Sequence, residues 1–424
     1  LARVKELIDG AETSLDIAMY SFRDQGIMQA IEDAVDRGVE VRMLFHGAYD
    51  DRSEPGGSTS AKLEDMGVDV RWVNKIMHHK FVLVDGPKDS LMQAPTATLA
   101  TGSGNWSYSA GTRYDENTVV LHGDTETNLR FQKEFNYLWE WSRDFEWNGA
   151  KDKQTSKEIH DAMVYDTDGV DASFTSANFR TYVSSRYGNT FGIVRGRDTV
   201  SDRIVALIEE ADESIWVASG HLRSRPISEA ILAKAEANPE MDIRVYLDGQ
   251  EFISEGYHEY QEWELSECLE DAGDSEAQRQ DCIDSGFYFS YPMYEAGIPT
   301  RFKFYSYRWH YTYAVQMHHK YLILDGDTVI SGSYNLSDNA EHNTMENIIV
   351  YRRSAYPQVV DDFVANFESI WETGRADGVY DAIVSQIESA EDSIPIVFES
   401  MALTYEEVDA LKDLIRNTCP AVES

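Results

Sequence analysis

Nearly the same nine residues occur twice in this chain, as MHHKFVLVD at 77–85 and MHHKYLILD at 317–325. Each is a His-x-Lys-x4-Asp string running through an apolar, strand-like segment. Each is followed by Gly-Ser-x-Asn, at Gly102, Ser103, Asn105 and at Gly332, Ser333, Asn335, and then by a Glu-Asn pair, Glu116-Asn117 and Glu346-Asn347. Gly102 to Glu116 and Gly332 to Glu346 are both fourteen residues. Repetition on this scale means one structural unit built twice.

The copies differ in identifiable places. Sixteen residues separate Asp85 from Gly102 but six separate Asp325 from Gly332, so the first copy carries ten extra residues within 86–101, whose Gly-Pro and Ala-Pro-Thr content reads as a loop. Upstream, residues 4–22 match 204–222, with Ala11/Ala211 and Ser14/Ser214 in register, and 30–47 match 230–249 with a two-residue slip. Between Arg42 and His78 lie 35 residues and between Arg244 and His318 lie 73, so the second copy carries about 38 more. That insertion holds Cys268 and Cys282, and 251–300 contains thirteen acids to one Arg, the pattern of a solvated helix or loop able to overhang the site.

Apolar spacing predicts helices at 4–10 and 25–37 and strands at Leu15–Ser21 and Val39–Phe45, with the same alternation at 202–247. Phe131–Trp141 and Val360–Trp371 read as matching apolar helices that close each repeat. The fold class is therefore α/β: two tandem α-β-α sandwich repeats, each a mixed sheet with helices on both faces. The expected division is a first repeat at 1–150, a linker at 151–171, a second repeat at 172–375 with its acidic insertion near 251–300, and a C-terminal helical extension at 376–424. The segment ahead of Arg203 has no counterpart before Val4, so the first repeat is expected to lack its N-terminal strand. In RFKFYSYRWHYTY (301–313) aromatics alternate with polar residues, which predicts a strand with an aromatic face.

The doubled H-x-K-x4-D with trailing G-S-x-N resembles the phospholipase D superfamily, over nearly the whole chain to about residue 375. The resemblance implies that the two motifs meet in one pseudo-twofold active site, that phosphodiesters are cleaved or exchanged there without a required cofactor or metal, and that His78 of the first motif serves as nucleophile while His318 serves as acid and base.

The chemistry of the residues agrees. Residues two apart on a strand face the same way, so His78 and Lys80 point together and His79 points away, as do His318 and Lys320 against His319. Cleaving a phosphodiester requires a nucleophile, a proton donor for the leaving alcohol and cations around the phosphoryl oxygens. Two histidines divide the first two tasks through a phosphohistidine intermediate. Lys80 and Lys320 supply charge, Ser103, Asn105, Ser333 and Asn335 supply phosphate-binding donors, and Glu116 and Glu346 are placed to hold the far ring nitrogens and set the tautomers. Asp85 and Asp325, counted with the catalytic motif, lie at the strand ends on the opposite parity and suit an orienting or structural part.

Seventy-five acidic against 37 basic residues give a net charge of −38. Nucleic-acid affinity comes chiefly from Lys and Arg neutralising phosphates, so nucleic acid is the less favoured partner. A nuclease remains the alternative, supported by Arg71, Lys75, Arg113, Arg301, Lys303 and Arg308 near the motifs. The favoured substrate is a phospholipid at a membrane or micelle surface, cleaved on its headgroup side, with water or an alcohol as acceptor and transphosphatidylation as the second outcome. So many carboxylates invite weak surface calcium binding away from the chemistry. No run reaches eighteen apolar residues, so no transmembrane segment is expected. Cys268 and Cys282, with thirteen residues between them, are placed for a loop-closing disulfide, which favours a secreted or periplasmic setting. Two motifs in one chain make a monomer sufficient.

Overall fold

The computed structural model describes all residues except 146–170, 307–313, 390–398 and 419–424. Tyr307, Arg308, Trp309, Tyr311 and Tyr313, and nearly all of the expected linker, fall outside the described residues.

Two mixed sheets repeat one topology. The first runs, edge to edge, Thr118–His122, Thr98–Gly102, Lys80–Val84, Ser14–Met19, Glu40–Phe45, Asp69–Trp72, Arg143–Asp144. Ser14–Met19 pairs parallel with Glu40–Phe45 and antiparallel with the motif strand Lys80–Val84. In the second sheet Ser214–Ser219 likewise pairs parallel with Asp242–Asp248 and antiparallel with the motif strand Lys320–Leu324. The helices Ala2–Asp9 and Gln25–Asp36, and the strands between and after them, fall within two residues of the periodicity reading.

Both motif strands are buried along their whole length because helices cover both faces of each sheet. Alternation along the strand sorts the side chains: Val82 and Val84 join the core under the helices Ala2–Asp9 and Gln25–Asp36, whereas Phe81 and Leu83 join a second core. That second core lies between the repeats. It brings Phe131, Phe135 and Leu138 of the helix Thr125–Glu140 together with Tyr321, Phe363 and Phe367, the last two from the helix Pro357–Trp371. The apolar helices that close each repeat thus also join the two.

The C-terminal extension is not purely helical. Between the helices Val379–Glu388 and Tyr405–Thr418, Met401–Thr404 adds an antiparallel strand to the edge strand Thr300–Phe304. A four-residue apolar stretch gives too little periodicity to read as a strand without its partner. The acidic insertion is a helical hairpin, Glu255–Ala272 and Glu276–Ile283, closed by a Cys268–Cys282 disulfide.

Candidate active site

The two motifs meet through short backbone pairings between the repeats. Ile76–Met77 pairs parallel with Thr344–Met345, and the His78 N–H donates to the Met345 carbonyl at 3.1 Å. In the other direction Asp115 bridges Met317, and the His318 N–H donates to the Asp115 carbonyl at 3.0 Å. The residue after Met345 is Glu346 and the residue after Asp115 is Glu116. Each pairing therefore delivers one copy's glutamate to the other copy's histidine: Oε1 of Glu346 lies 2.7 Å from Nδ1 of His78, and Oε1 of Glu116 lies 2.7 Å from Nδ1 of His318. A carboxylate at that distance favours the Nδ1–H tautomer, the one that leaves the Nε2 lone pair for phosphorus. The orienting part foreseen for the glutamates is thus compatible with the geometry, with the partners exchanged between repeats.

Each lysine folds back on its own histidine. Lys80 Nζ is 2.7 Å from the His78 carbonyl oxygen and 3.1 Å from its Nδ1, and Lys320 Nζ is 2.8 Å and 3.2 Å from the same atoms of His318. His79 and His319 turn away, as strand parity requires. His79 meets Asn347 Nδ2 at 2.8 Å and Glu134 at 3.3 Å, and His319 meets Asn117 Nδ2 at 3.2 Å. These asparagines, the partners of the glutamates in sequence, tie each repeat to the back of the opposite motif.

Burial dominates the electrostatics. It holds His78 well below the usual imidazole range, with Lys80, Lys320 and His318 adding to the effect. Burial also brings His318 to about 4, partly opposed by Glu116. Lys80 is brought down to about 7 and Lys320 to about 8 by burial, with the glutamates pulling both back up. Burial lifts Glu346 to about 7, against Lys80. A phosphodiester anion entering such a centre would favour protonation of both lysines and of a histidine.

Two groups of expected site residues serve the framework around the histidines. Ser103 and Ser333 are fully buried, and their Oγ atoms accept the backbone N–H of Asn117 at 2.9 Å and of Asn347 at 3.0 Å. They fix the glutamate-bearing turns, and Ser333 also bonds the Glu346 carboxylate beside His78. The preceding glycines are required there, since a Cβ on Gly102 would strike the Asn117 carbonyl and one on Gly332 that of Asn347. Asp85 and Asp325 lie at the far ends of the motif strands, roughly 20 Å from the histidines at 3.3 Å per residue. Both adopt left-handed backbone, φ 51° and 53°. Asp85 accepts the backbone N–H groups of Glu12, Thr13 and Ser14, and Asp325 those of Asp212, Glu213 and Ser214. They cap turns and do not touch the reacting centre. Asn105 is buried with an amide oxygen that has no hydrogen-bond partner, and Asn335 lies on the wall of a cavity.

The surroundings include residues that the motif did not announce. The Tyr20 ring lies 4.6 Å from that of His78 and stacks on His46 at 5.1 Å, with Lys80 Nζ 5.3 Å from its centroid. Tyr20 and His46 follow the carboxyl ends of two parallel strands, where sites in such sheets gather, and that rule was the available signal. Beside His318, Lys303 pairs with Asp115 at 2.8 Å, and buried Asp248 accepts the Met317 N–H at 2.8 Å. Among the described residues no group of three or more His, Cys, Asp or Glu is placed to hold a metal ion, and no helix is long and apolar enough to cross a membrane.

Comparison with known proteins yields one family. A family model described as the PLD-like domain of cardiolipin synthase matches residues 4–139 and 204–371. The mitochondrial cardiolipin hydrolase of Chlamydomonas reinhardtii is 30% identical over 142 residues, which cover 33% of this chain and 57% of that protein. That of Danio rerio is 34% identical over 144 residues, with the same coverage of 33% and 57%. The chain thus spans little more than half the length of these curated relatives. The phosphatidylserine synthase of Haemophilus influenzae Rd KW20 shares the fold, with a TM-score of 0.54 at 11% identity over 99% of this chain and 92% of that one.

Proposed function

The chain belongs to the phospholipase D superfamily, and from that premise we propose that it is a phosphoric diester hydrolase cleaving the headgroup-side phosphodiester of phospholipids. The observation that carries this reading is the exchanged pair of buried His–Glu contacts, each 2.7 Å long, around one centre. His78, whose charge is disfavoured by burial and by Lys80 and Lys320, attacks phosphorus through Nε2 and forms a phosphohistidine. His318, raised by the incoming anion, donates its proton to the leaving alcohol. It then takes a proton from water, or from an alcohol in transphosphatidylation, as the P–N bond breaks. Lys80 and Lys320 neutralise the phosphoryl oxygens.

Lipid is favoured over nucleic acid by more than net charge. Of the basic residues near the motifs, Arg71 is buried against Asp69 and Asp144, Arg301 is tied to Glu372, and Lys303 to Asp115. The names of the curated relatives point the same way. One chain supplies both half-sites, which supports a monomer, and the disulfide supports a secreted or periplasmic setting. The test is incubation in chelator with phosphatidylcholine, phosphatidylethanolamine and cardiolipin micelles and with single- and double-stranded DNA. Headgroup release is expected. DNA scission without lipid cleavage would overturn the assignment.

A further inference from the structure

A cavity of about 920 Å³ opens between Asn335 of the second motif and the disulfide-closed hairpin, whose helix Glu276–Ile283 forms one wall. Its cations are already answered. Arg195 pairs with Asp281 at 3.2 Å, Arg223 with Glu251 at 2.6 Å, and His342 with Asp198 at 2.7 Å. Its carboxylates are answered unevenly, Asp281 and Asp198 within those pairs and Asp338 only in part. Asp338 lines the cavity at 8% exposure, and its Oδ2 has no hydrogen-bond partner. Asp284, across the same space, accepts the Gln280 amide at 2.8 Å. Arg225 gives Asp338 its backbone N–H and, with His342, part of the compensating charge, but turns its guanidinium to Glu229 and over the rings of Phe287 and Phe289.

A buried carboxylate oxygen without a partner is costly, and the cost is met by protonation or by a cation. Burial and then Asp284 push Asp338 up to about 7, so the empty cavity stands near the balance between the two. The remaining wall is rich in amide and carboxylate acceptors, among them Asn339, Asn343 and Gln280. The rings that line it among the described residues are the imidazoles of His221 and His342, each already paired with a carboxylate, and no Phe, Tyr or Trp lines it. Acceptors without Phe, Tyr or Trp faces suit a primary ammonium, with its three N–H donors, better than a quaternary ammonium, which is held by such faces.

We propose that this cavity is the subsite for a primary ammonium group on the alcohol side of the phosphodiester, with Asp338 as its counter-ion and Asp284 as the second carboxylate. Placing the ammonium on the alcohol rests on the hydrolase reading above. The leaving alcohol and an acceptor alcohol occupy the same place, so one subsite serves both directions. The asymmetry between the repeats fits this division, because the hairpin that walls the cavity belongs to the second copy alone.

Two measurements test it. Isothermal titration of the full chain with ethanolamine in chelator should show binding that Asp338→Asn weakens about tenfold and Asp284→Asn about threefold, with choline binding more weakly than ethanolamine. In mixed micelles, the ratio of kcat/KM for phosphatidylethanolamine over phosphatidylglycerol should fall about tenfold in Asp338→Asn. Equal ethanolamine affinity in wild type and both variants, as when Arg225 swings onto Asp338 and fills the cavity from within, overturns the proposal. So does an unchanged lipid ratio where both lipids are cleaved. If neither lipid is cleaved the hydrolase reading fails, and the titration decides the subsite by itself.

Discussion

Replacing Glu346 by Gln separates the exchanged-glutamate arrangement from a merely structural role. Glu346 is fully buried, and its Oε1 lies 2.7 Å from Nδ1 of His78. When Nε2 of His78 attacks phosphorus the ring becomes cationic, and its charge centre stands about 4 Å from the carboxylate. At an effective dielectric of about 20 that attraction is about 4 kcal/mol. Gln keeps the size and an acceptor oxygen but removes the charge, so kcat should fall about a thousandfold while KM stays within about threefold. Stability should move the other way. Burial raises Glu346 from 4.5 to about 7, so the folded state holds a proton that the unfolded chain has lost, and stability falls as pH rises through that interval. Above pH 7 ionised Glu346 costs about 3 kcal/mol, which Gln does not incur. Stopped-flow single turnover with bis(p-nitrophenyl) phosphate, with thermal melting at pH 8, reads both. The wild-type rate should decline below about pH 7 as the carboxylate protonates, and the variant should lack that limb. A variant within tenfold of wild type, or one whose lost activity accompanies a lower Tm, refutes the reasoning.

Other perturbations address the remaining parts. In His318→Ala, p-nitrophenolate departs without a proton, so a phosphohistidine should accumulate on His78 while turnover of ordinary alcohol esters falls about 10³-fold; peptide mapping of a label on any other residue would remove His78 as nucleophile. Asp325→Asn should lose about 1–2 kcal/mol of stability in urea with kcat unchanged, because the backbone N–H groups of Asp212, Glu213 and Ser214 lose a charged acceptor. Burial alone would raise Asp325, but those donors hold it below its ordinary value, so the difference from wild type should be full above about pH 4 and vanish as pH falls through the depressed value. A difference that persists in acid would refute this. Reduction of Cys268–Cys282, a link of sequence separation 14, should release about 3 kcal/mol of restraint on the hairpin. Hydrogen exchange should then rise in 255–283 and not in the motif strands; a cooperative loss of both would show that the hairpin is integral to the fold.

Much of this could be read from the residues because period-two alternation and repetition are local signals. His78 with Lys80, and His79 turned away, follow from parity alone, and a mixed sheet with helices on both faces follows from the strand–helix alternation. What escaped depends on contacts between the repeats. The glutamate lies fourteen positions after the glycine in either copy, but spacing within a copy carries no information about which histidine that glutamate meets. Ser103 and Ser333 escaped for the same reason, since a hydroxyl beside a phosphate motif and one buried under the next turn have identical sequence surroundings. Tyr20 and His46 escaped because their counterparts, Gly220 and Asp248, break the repeat, and the comparison of copies highlights what is shared.

That last difference bears on how a symmetric scaffold performs an asymmetric reaction. The His–Glu and His–Lys contacts match between halves to within 0.1 Å, so the first contacts of the two histidines do not decide which attacks. The decision must come from the next groups out. Around His78 these are Tyr20 and His46, a partly exposed ring stack with Asp50 acting on His46. Around His318 they include the Tyr114 ring at 5.8 Å and Asp115, paired to Lys303, in the bridge that delivers Glu116. A carboxylate-rich surrounding favours the imidazolium and a desolvated one favours the neutral ring. Glu116 and Asp115 reach His318 from the first repeat and the acidic cavity lies in the second, so the acid and base role proposed for His318 would place the proton donor between the two.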